Sequence, residues 1–392
     1  MATVGKTLDL SRLFTPVELG PLRLPNRFVL PGMQRQWCED GRPLPRLGAF
    51  YRACVEGGVG LVISESCAVD HPSATQVPSF TRITGETVDA WAACVAEVKA
   101  AGGAMLMQLW HEGAVRQEGG DGPYAAAPTL SPSGMVHGLR PNGRAATLEE
   151  LDAIKEAFVR SALLARQAGV DGVEVHAAHG YLLDQFLWAE TNLREDGYGG
   201  DDIADRVRFP AEIVAAIRAA VGPDFVISLR FSQWKEAKYD ARVAETPEKL
   251  ATMLAILKGA GVDVFHASTR RFWTPEWPGS DLGLAGWTRR LSGAPVIAVG
   301  SVGLDADVME NFFGREARPT GEAGFRELLR RFDAGEFDLI SVGRGHIGDT
   351  GLVNKLREGR FDEIRSFTRQ DLLGDLTVED GIQFEAHPGR EA

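Results

Sequence analysis

The chain has 392 residues and a formal net charge of −12, from 42 Lys plus Arg against 54 Asp plus Glu, with 44% hydrophobic and 24% charged residues. This is the balance of an ordinary globular enzyme with apolar material for a sizeable core, and without a dense basic run interleaved with aromatics it is a poor nucleic-acid binder. The opening residues lack the apolar centre of a signal peptide, and no run of about 18 apolar residues could span a bilayer, so a cytoplasmic protein without membrane contact is expected.

From residue 26 to 367, short apolar runs ending in small or polar residues alternate with helical patterns, the signature of parallel βα units. The predicted strands are NRFVLPGM (26–33), VGLVISES (59–66), AMLMQLWH (104–111), GVEVHAAH (172–179), FVISLRFS (225–232), VDVFHAST (262–269), PVIAVGSV (295–302) and FDLISVGR (337–344). Eight of them suggest closure into a (β/α)8 barrel, a fold that runs to about 250 residues or more as one unit. One domain over 1–392 is therefore expected, with the barrel at about 26–367 and a tail at 368–392.

Between the strands, 147–169 reads as a helix opened by Thr147 and Glu150 in capping-box spacing and stopped by Gly169, and 245–261 repeats that design. Glycines recur at each turn from helix to strand: Gly57 and Gly58, Gly102 and Gly103, Gly169, Gly261. Three excursions, 112–146, 189–205 and 270–287, follow predicted strands and so fall on the catalytic rim. Four well-spaced cysteines, Cys38, Cys54, Cys67 and Cys94, form no CxxC pair and are expected as free thiols.

Function in a barrel gathers at the carboxyl ends of the strands. Here those ends carry Gln108 and His111, His176 and His179, Arg230, His266 and Ser268, and Gly343 and Arg344. Strand alternation puts Glu174 and His176 on one face and Val173 and Val175 on the other, so His176 faces the mouth. Two histidines could bind zinc if a third ligand converged, but the neighbouring strand ends offer Gln108, Arg230 and Arg344, and cations oppose a metal. VGSV (299–302) and VGRG (342–345) end strands seven and eight, where barrels bind phosphate; Gly300, Gly343 and Arg344 would cradle a phosphate monoester, or the glycines merely turn the chain.

LFTPVELGPLRLPNRFVL (13–30), QLWHEG (108–113) and GVEVHAAHGYLLDQFL (172–187), followed by TNLREDGYGG and Arg206, together resemble the old yellow enzyme family, and the likeness runs from Leu13 to Gly359. The resemblance implies an FMN-dependent ene-reductase in which NADPH or NADH is the reductant and an activated alkene the small-molecule partner. It implies FMN contacts from Pro31, Gly32, Met33, Gln34, Ser66, Gln108, His176 and Arg230, with Gly300, Ser301, Gly343 and Arg344 on the phosphate. It further implies that His176 and His179 bind the substrate oxygen and that Tyr181 supplies the proton. Gly32 stands where the family commonly has proline, Gln34 where it has threonine or cysteine beside the flavin carbonyl, and Ala386 where some relatives place an arginine that enters a neighbouring subunit of a homo-oligomer. Trp273, with Trp277 and Trp287, forms either a substrate wall or a packed lid. The alternative reading is a reductase like the flavin half of 2,4-dienoyl-CoA reductase.

Overall fold

The computed structural model describes residues 8–372 apart from 120, 121, 123, 138, 139 and 237; Ala386 and the rest of the predicted tail beyond 372 lie outside the described residues. Eight parallel strands close into a barrel: β1 Phe28–Leu30, β2 Leu61–Ala68, β3 Ala104–Trp110, β4 Gly172–His179, β5 Val226–Lys235, β6 Val264–Ser268, β7 Val296–Val299 and β8 Leu339–Ser341. Each strand pairs with its successor, and β8 returns to β1 through Ile340 opposite Phe28 and Ser341 opposite Val29.

All eight strands fall where the sequence placed them, but their limits differ. β1 is shorter than 26–33 because Asn26 is spent on a turn, its Oδ1 accepting the Phe28 N–H, and because Pro31 has no N–H to continue the ladder. β8 stops before Val342, since Gly343 leads into the short helix Arg344–Gly348. β5 runs on to Lys235.

Alternation along the strands sorts their side chains into two cores. Val29, Leu61, Ile63, Leu106, Val226, Val264, Ile297 and Leu339 fill the barrel, and Leu19 and Leu24 of an N-terminal hairpin (Val17–Leu19 with Leu22–Leu24) join them. The hairpin turn at Gly20 sits against Asp263, just before β6, so it plugs the amino end and leaves the carboxyl end as the mouth. Val173, Val175, Ile227 and Leu229 face outward among Phe158, Ile213 and Leu254 of the surrounding helices.

The helix Leu148–Gln167 opens with the expected capping box, Thr147 and Glu150 each binding the other's backbone N–H. Pro247–Ala260 has only half of that device: Thr246 caps the Lys249 N–H, and a lysine at the third position cannot reciprocate. Gly58, Gly102, Gly169 and Gly261 all have positive φ, the left-handed turn that returns the chain to the barrel. The four cysteines are free, and no helix among the described residues is long and apolar enough to cross a membrane.

Candidate active site

At the mouth, the barrel filling changes from aliphatic to polar. Gln108 on β3, Glu174 on β4, Ser228 and Arg230 on β5 and His266 on β6 are all buried there. Register brings them together, with Glu174 opposite both Gln108 and Ser228, and Arg230 opposite both His176 and His266.

One side of the mouth is built by the chain leaving β1. Gly32 presses its backbone so close to β2 and β3 that a Cβ there would lie 2.6 Å from the Ser64 carbonyl and 2.7 Å from Gln108 Nε2. Its carbonyl accepts from Arg230 Nη1 at 3.4 Å. Gln34 donates its amide to the Ser66 carbonyl at 3.4 Å, while Ser66 Oγ donates to Gln108 Oε1 at 2.6 Å. Pro31 and Met33 reach the end of β8, where Met33 Sδ lies 3.0 Å from the place a Cβ would take on Gly343. Gln34 Oε1, His176 Nδ1 and Arg230 Nε are buried without a partner. Buried polar atoms are rarely left so, and three of them on strand ends around one mouth describe a site that expects a polar ligand.

The opposite side is the end of β4. The pairing of β4 and β5 slips between Ala177 and His179, and His179 adopts a φ of 65°, a left-handed conformation costly for a non-glycine residue. The slip re-aims the chain so that the His176 and His179 rings lie 5.2 Å apart and Tyr181 lies 5.5 Å from His176. His179 Nε2 pairs with Ser268 Oγ at 2.8 Å, and its backbone N–H donates to Ser232 Oγ at 3.0 Å. Burial, helped by the charge of Arg230, depresses His176 to about 3 and His179 well below its ordinary value, so both are neutral imidazoles at pH 7. Burial pushes the Tyr181 phenol well above 10, which keeps it protonated.

The third element joins β7 and β8. Gly300 has a φ of 149° and no room for a side chain, a Cβ there falling 2.5 Å from Thr269 Oγ1, and Ser301 follows with a φ of 49°. Arg344 is held by the Ala306 carbonyl at 2.7 Å, Ser301 Oγ at 3.2 Å and Asn311 Oδ1. Burial lowers it only to about 10, so it stays cationic. Its partners are all neutral oxygens; among the described residues neither Arg344 nor Arg230 forms an ion pair. A buried guanidinium at Arg230 and a half-buried one at Arg344, neither in direct contact with a carboxylate among the described residues, suit an anionic ligand at the mouth.

The remaining strand-end and loop residues are engaged within the chain. His111 is tied to Ser73 Oγ at 2.9 Å and accepts the Gly113 N–H, and His266 pairs with Glu174. Trp273 packs edge-on against Phe272, and its carbonyl is held by Arg331; Trp277 and Trp287 pack on each other. The rings that touch the His176, His179 and Tyr181 group are Trp110, 5.2 Å from Tyr181, and Trp234, 4.8 Å from His179. Sequence reasoning passed over both, although period two carries Gln108 to Trp110 and Arg230 through Ser232 to Trp234 on one face.

Comparison with known proteins gives the chain a family. Residues 12–317 match the model of the NADH:flavin oxidoreductase / NADH oxidase family. An NADH oxidase of Thermoanaerobacter brockii is 34% identical over 364 residues, 90% of this chain. The chain spans about half the length of the long curated relatives it matches, 52% of this one. Among solved structures, morphinone reductase in complex with tetrahydroNAD superposes with a TM-score of 0.73 at 27% identity, covering 92% of this chain and 93% of that one. An old yellow enzyme from a Pichia species superposes at 0.75 with 25% identity, covering 92% and 90%. The chain belongs to the NADH:flavin oxidoreductase / NADH oxidase family, the family of the old yellow enzymes.

Proposed function

We propose that this barrel is an FMN-dependent ene-reductase, reducing the C=C bond of an activated alkene such as an α,β-unsaturated carbonyl at the expense of NADPH or NADH. The observation that carries the reading is the pair of neutral imidazoles beside a protonated phenol, with Arg230, whose Nε–H has no partner, next to His176 on the adjoining strand. Bound FMN supplies the redox chemistry, accepting hydride from the nicotinamide and returning it to the β carbon of the alkene.

The residues present fit that group. Arg344, Ser301 and the backbone at Gly300 and Gly343 would hold its phosphate, and the unpartnered Arg230 Nε–H with the second N–H of Gln108 would face its pyrimidine edge. Gln34, with a free Oε1, stands where it can meet the ring's hydrogen-bonding edge, and Pro31, Gly32, Met33 and Ser66 shape the wall behind.

His176 and His179 would bind the substrate's carbonyl oxygen through ring N–H groups. In the tautomer where the Ser268 hydroxyl donates to His179 Nε2, the proton of that ring is on Nδ1 and would be offered to the substrate. Two such donors stabilise the enolate that develops as the β carbon is reduced, an effect worth ~3 kcal/mol per donor in the transition state. Tyr181 then gives its phenolic proton to the α carbon, while Trp110 and Trp234 shield the pocket from water. Trp273, in the segment after β6, would add to the substrate wall.

Stopped-flow absorbance of the two half-reactions tests this. Tyr181→Phe should leave flavin reduction by NAD(P)H intact and slow reoxidation by 2-cyclohexenone by ~10²–10⁴-fold. Equal slowing of both halves, or of neither, removes Tyr181 from proton donation. The second reading is a reductase of dienoyl thioesters, like the flavin half of 2,4-dienoyl-CoA reductase. A kcat/KM for a dienoyl-CoA well above that for simple enones would select it.

A further inference from the structure

Beneath the mouth lies a carboxylate that the proposed reaction does not use. Glu174 is fully buried inside the barrel, where the residues below it, Ile63, Leu106 and Val264, are aliphatic. Its Oε1 accepts from Gln108 Nε2 at 2.8 Å, and its Oε2 accepts from Ser228 Oγ at 2.9 Å and from His266 Nδ1 at 2.8 Å. Three strands thus spend a side chain each on one buried charge, which costs several kcal/mol to desolvate.

Burial opposes its ionisation, yet His266, Arg230 and Gln108 together hold Glu174 down at about 2. Burial also pushes His266 below its ordinary value, and its Nε2 has no partner, so the pair is a carboxylate and a neutral imidazole donating Nδ1–H. One net negative charge remains close under Arg230.

Two consequences follow. Donating Nε2–H to Glu174 while Oε1 receives the Ser66 hydroxyl fixes which way the Gln108 amide points. The carboxylate also offsets part of the positive field of Arg230 at the mouth. We propose that Glu174 is a positioning residue that orients Gln108 and, by its buried negative charge against Arg230, keeps the midpoint potential of the bound flavin lower than Arg230 alone would set it. This rests on the flavin reading above.

The test is spectroelectrochemical titration of the FMN-loaded wild type, Glu174→Gln, Glu174→Asp and Ser228→Ala. Glutamine has the shape of glutamate, its carbonyl can still accept from Gln108, and its NH2 can donate to Ser228 Oγ and to His266 in the other tautomer. Glu174→Gln should move the midpoint to a more positive value, speed flavin reduction by NAD(P)H and slow reoxidation by an enone. A merely structural role would slow both halves together. Glu174→Asp keeps the charge and should stay near the wild-type midpoint. Ser228→Ala removes a hydroxyl dipole whose positive end faces the carboxylate, so its midpoint should move the other way, and it decides the matter should Glu174→Gln not fold. An unchanged or more negative midpoint in Glu174→Gln, equal shifts in the glutamine and aspartate variants, or a positive or absent shift in Ser228→Ala overturns the proposal. A wild type that takes up no FMN overturns the flavin reading and this one with it.

Discussion

Lys235 Nζ lies 2.7 Å from Asp184 Oδ1, with the two side chains 1% and 0% exposed. The other carboxylate oxygen accepts the Gly180 N–H at 2.6 Å, and Lys235 also donates to the Ser232 carbonyl at 3.1 Å. Gln185 Nε2 donates to the Gly180 carbonyl at 2.7 Å, so both sides of the glycine between His179 and Tyr181 are pinned. This buried pair therefore sets the turn that brings the imidazoles and the phenol together. Lys235→Met would strand a buried carboxylate and should cost ~3–5 kcal/mol in urea unfolding. Adding Asp184→Asn should recover much of that. A single variant within ~1 kcal/mol of wild type would mean the pair is not holding the turn.

Arg344→Ala removes a guanidinium that has neutral partners and no carboxylate. A charge-assisted hydrogen bond is worth ~1.5–3 kcal/mol, so FMN affinity should fall by about 10- to 100-fold. Riboflavin, which lacks the phosphate, should lose much less. Isothermal titration with both ligands checks it, and equal losses would place Arg344 away from the phosphate.

Gly32→Ala puts a Cβ 2.6 Å from the Ser64 carbonyl and 2.7 Å from Gln108 Nε2, contacts that cannot stand without movement. The backbone is the stiffer partner, so Gln108 should yield and loosen its bonds to Glu174 and Ser66. The visible spectrum of bound flavin should shift, and its affinity fall, with the fold retained. A spectrum and affinity matching wild type would show that the alanine is absorbed without moving Gln108.

The barrel was legible because its cause is local. Each apolar run is too short for a helix and is bounded by glycine-marked turns, so it reads as a strand, and eight in series suggest a closed barrel. The strand-end residues were legible from the strand limits, which gave Gln108, His176 and Arg230, and alternation turned Glu174 and His176 inward. What stayed hidden depends on neighbours distant in sequence. Glu174 was seen to face inward, but its partners come from strands 66, 54 and 92 residues away. Lys235 and Trp234 lie beyond the predicted end of β5, since nothing local in SQWKE says that pairing continues. The slip that re-aims His179 is a register event, invisible to alternation.

Glu65 on β2 is buried, with Oε2 accepting the Arg35 N–H at 2.8 Å and Oε1 unpartnered. Burial raises it from 4.5 to about 7. Between those values the folded chain holds a proton that the unfolded chain has lost, so this group takes stability away as pH rises through that window. Glu65→Gln cannot ionise and escapes the loss. Relative to wild type, the variant should therefore be more favourable above pH 7 than below 4.5. Paired urea titrations at the two ends measure it, and a difference independent of pH would place the Glu65 titration outside this window.

The neutrality of the two site histidines has its own signature. A phenolate oxygen imitates the enolate and should be held by N–H groups of His176 and His179, not by imidazolium charge. Burial keeps His176 near 3 and His179 well below its usual range, both far under the ordinary 6.5. The affinity for a phenolate, corrected for the ligand's own ionisation, should therefore show no inflection near 6.5. Were either ring to take up a proton there, a cation would face the phenolate, and binding would strengthen as the pH fell through that value. Titrating a set of phenols of graded acidity, followed by flavin absorbance, separates the ligand's pKa from the protein's. Affinity that rises through 6.5 for every phenol would assign the charge to a histidine, whereas midpoints that move with each phenol leave both imidazoles neutral, acting by hydrogen bonds alone.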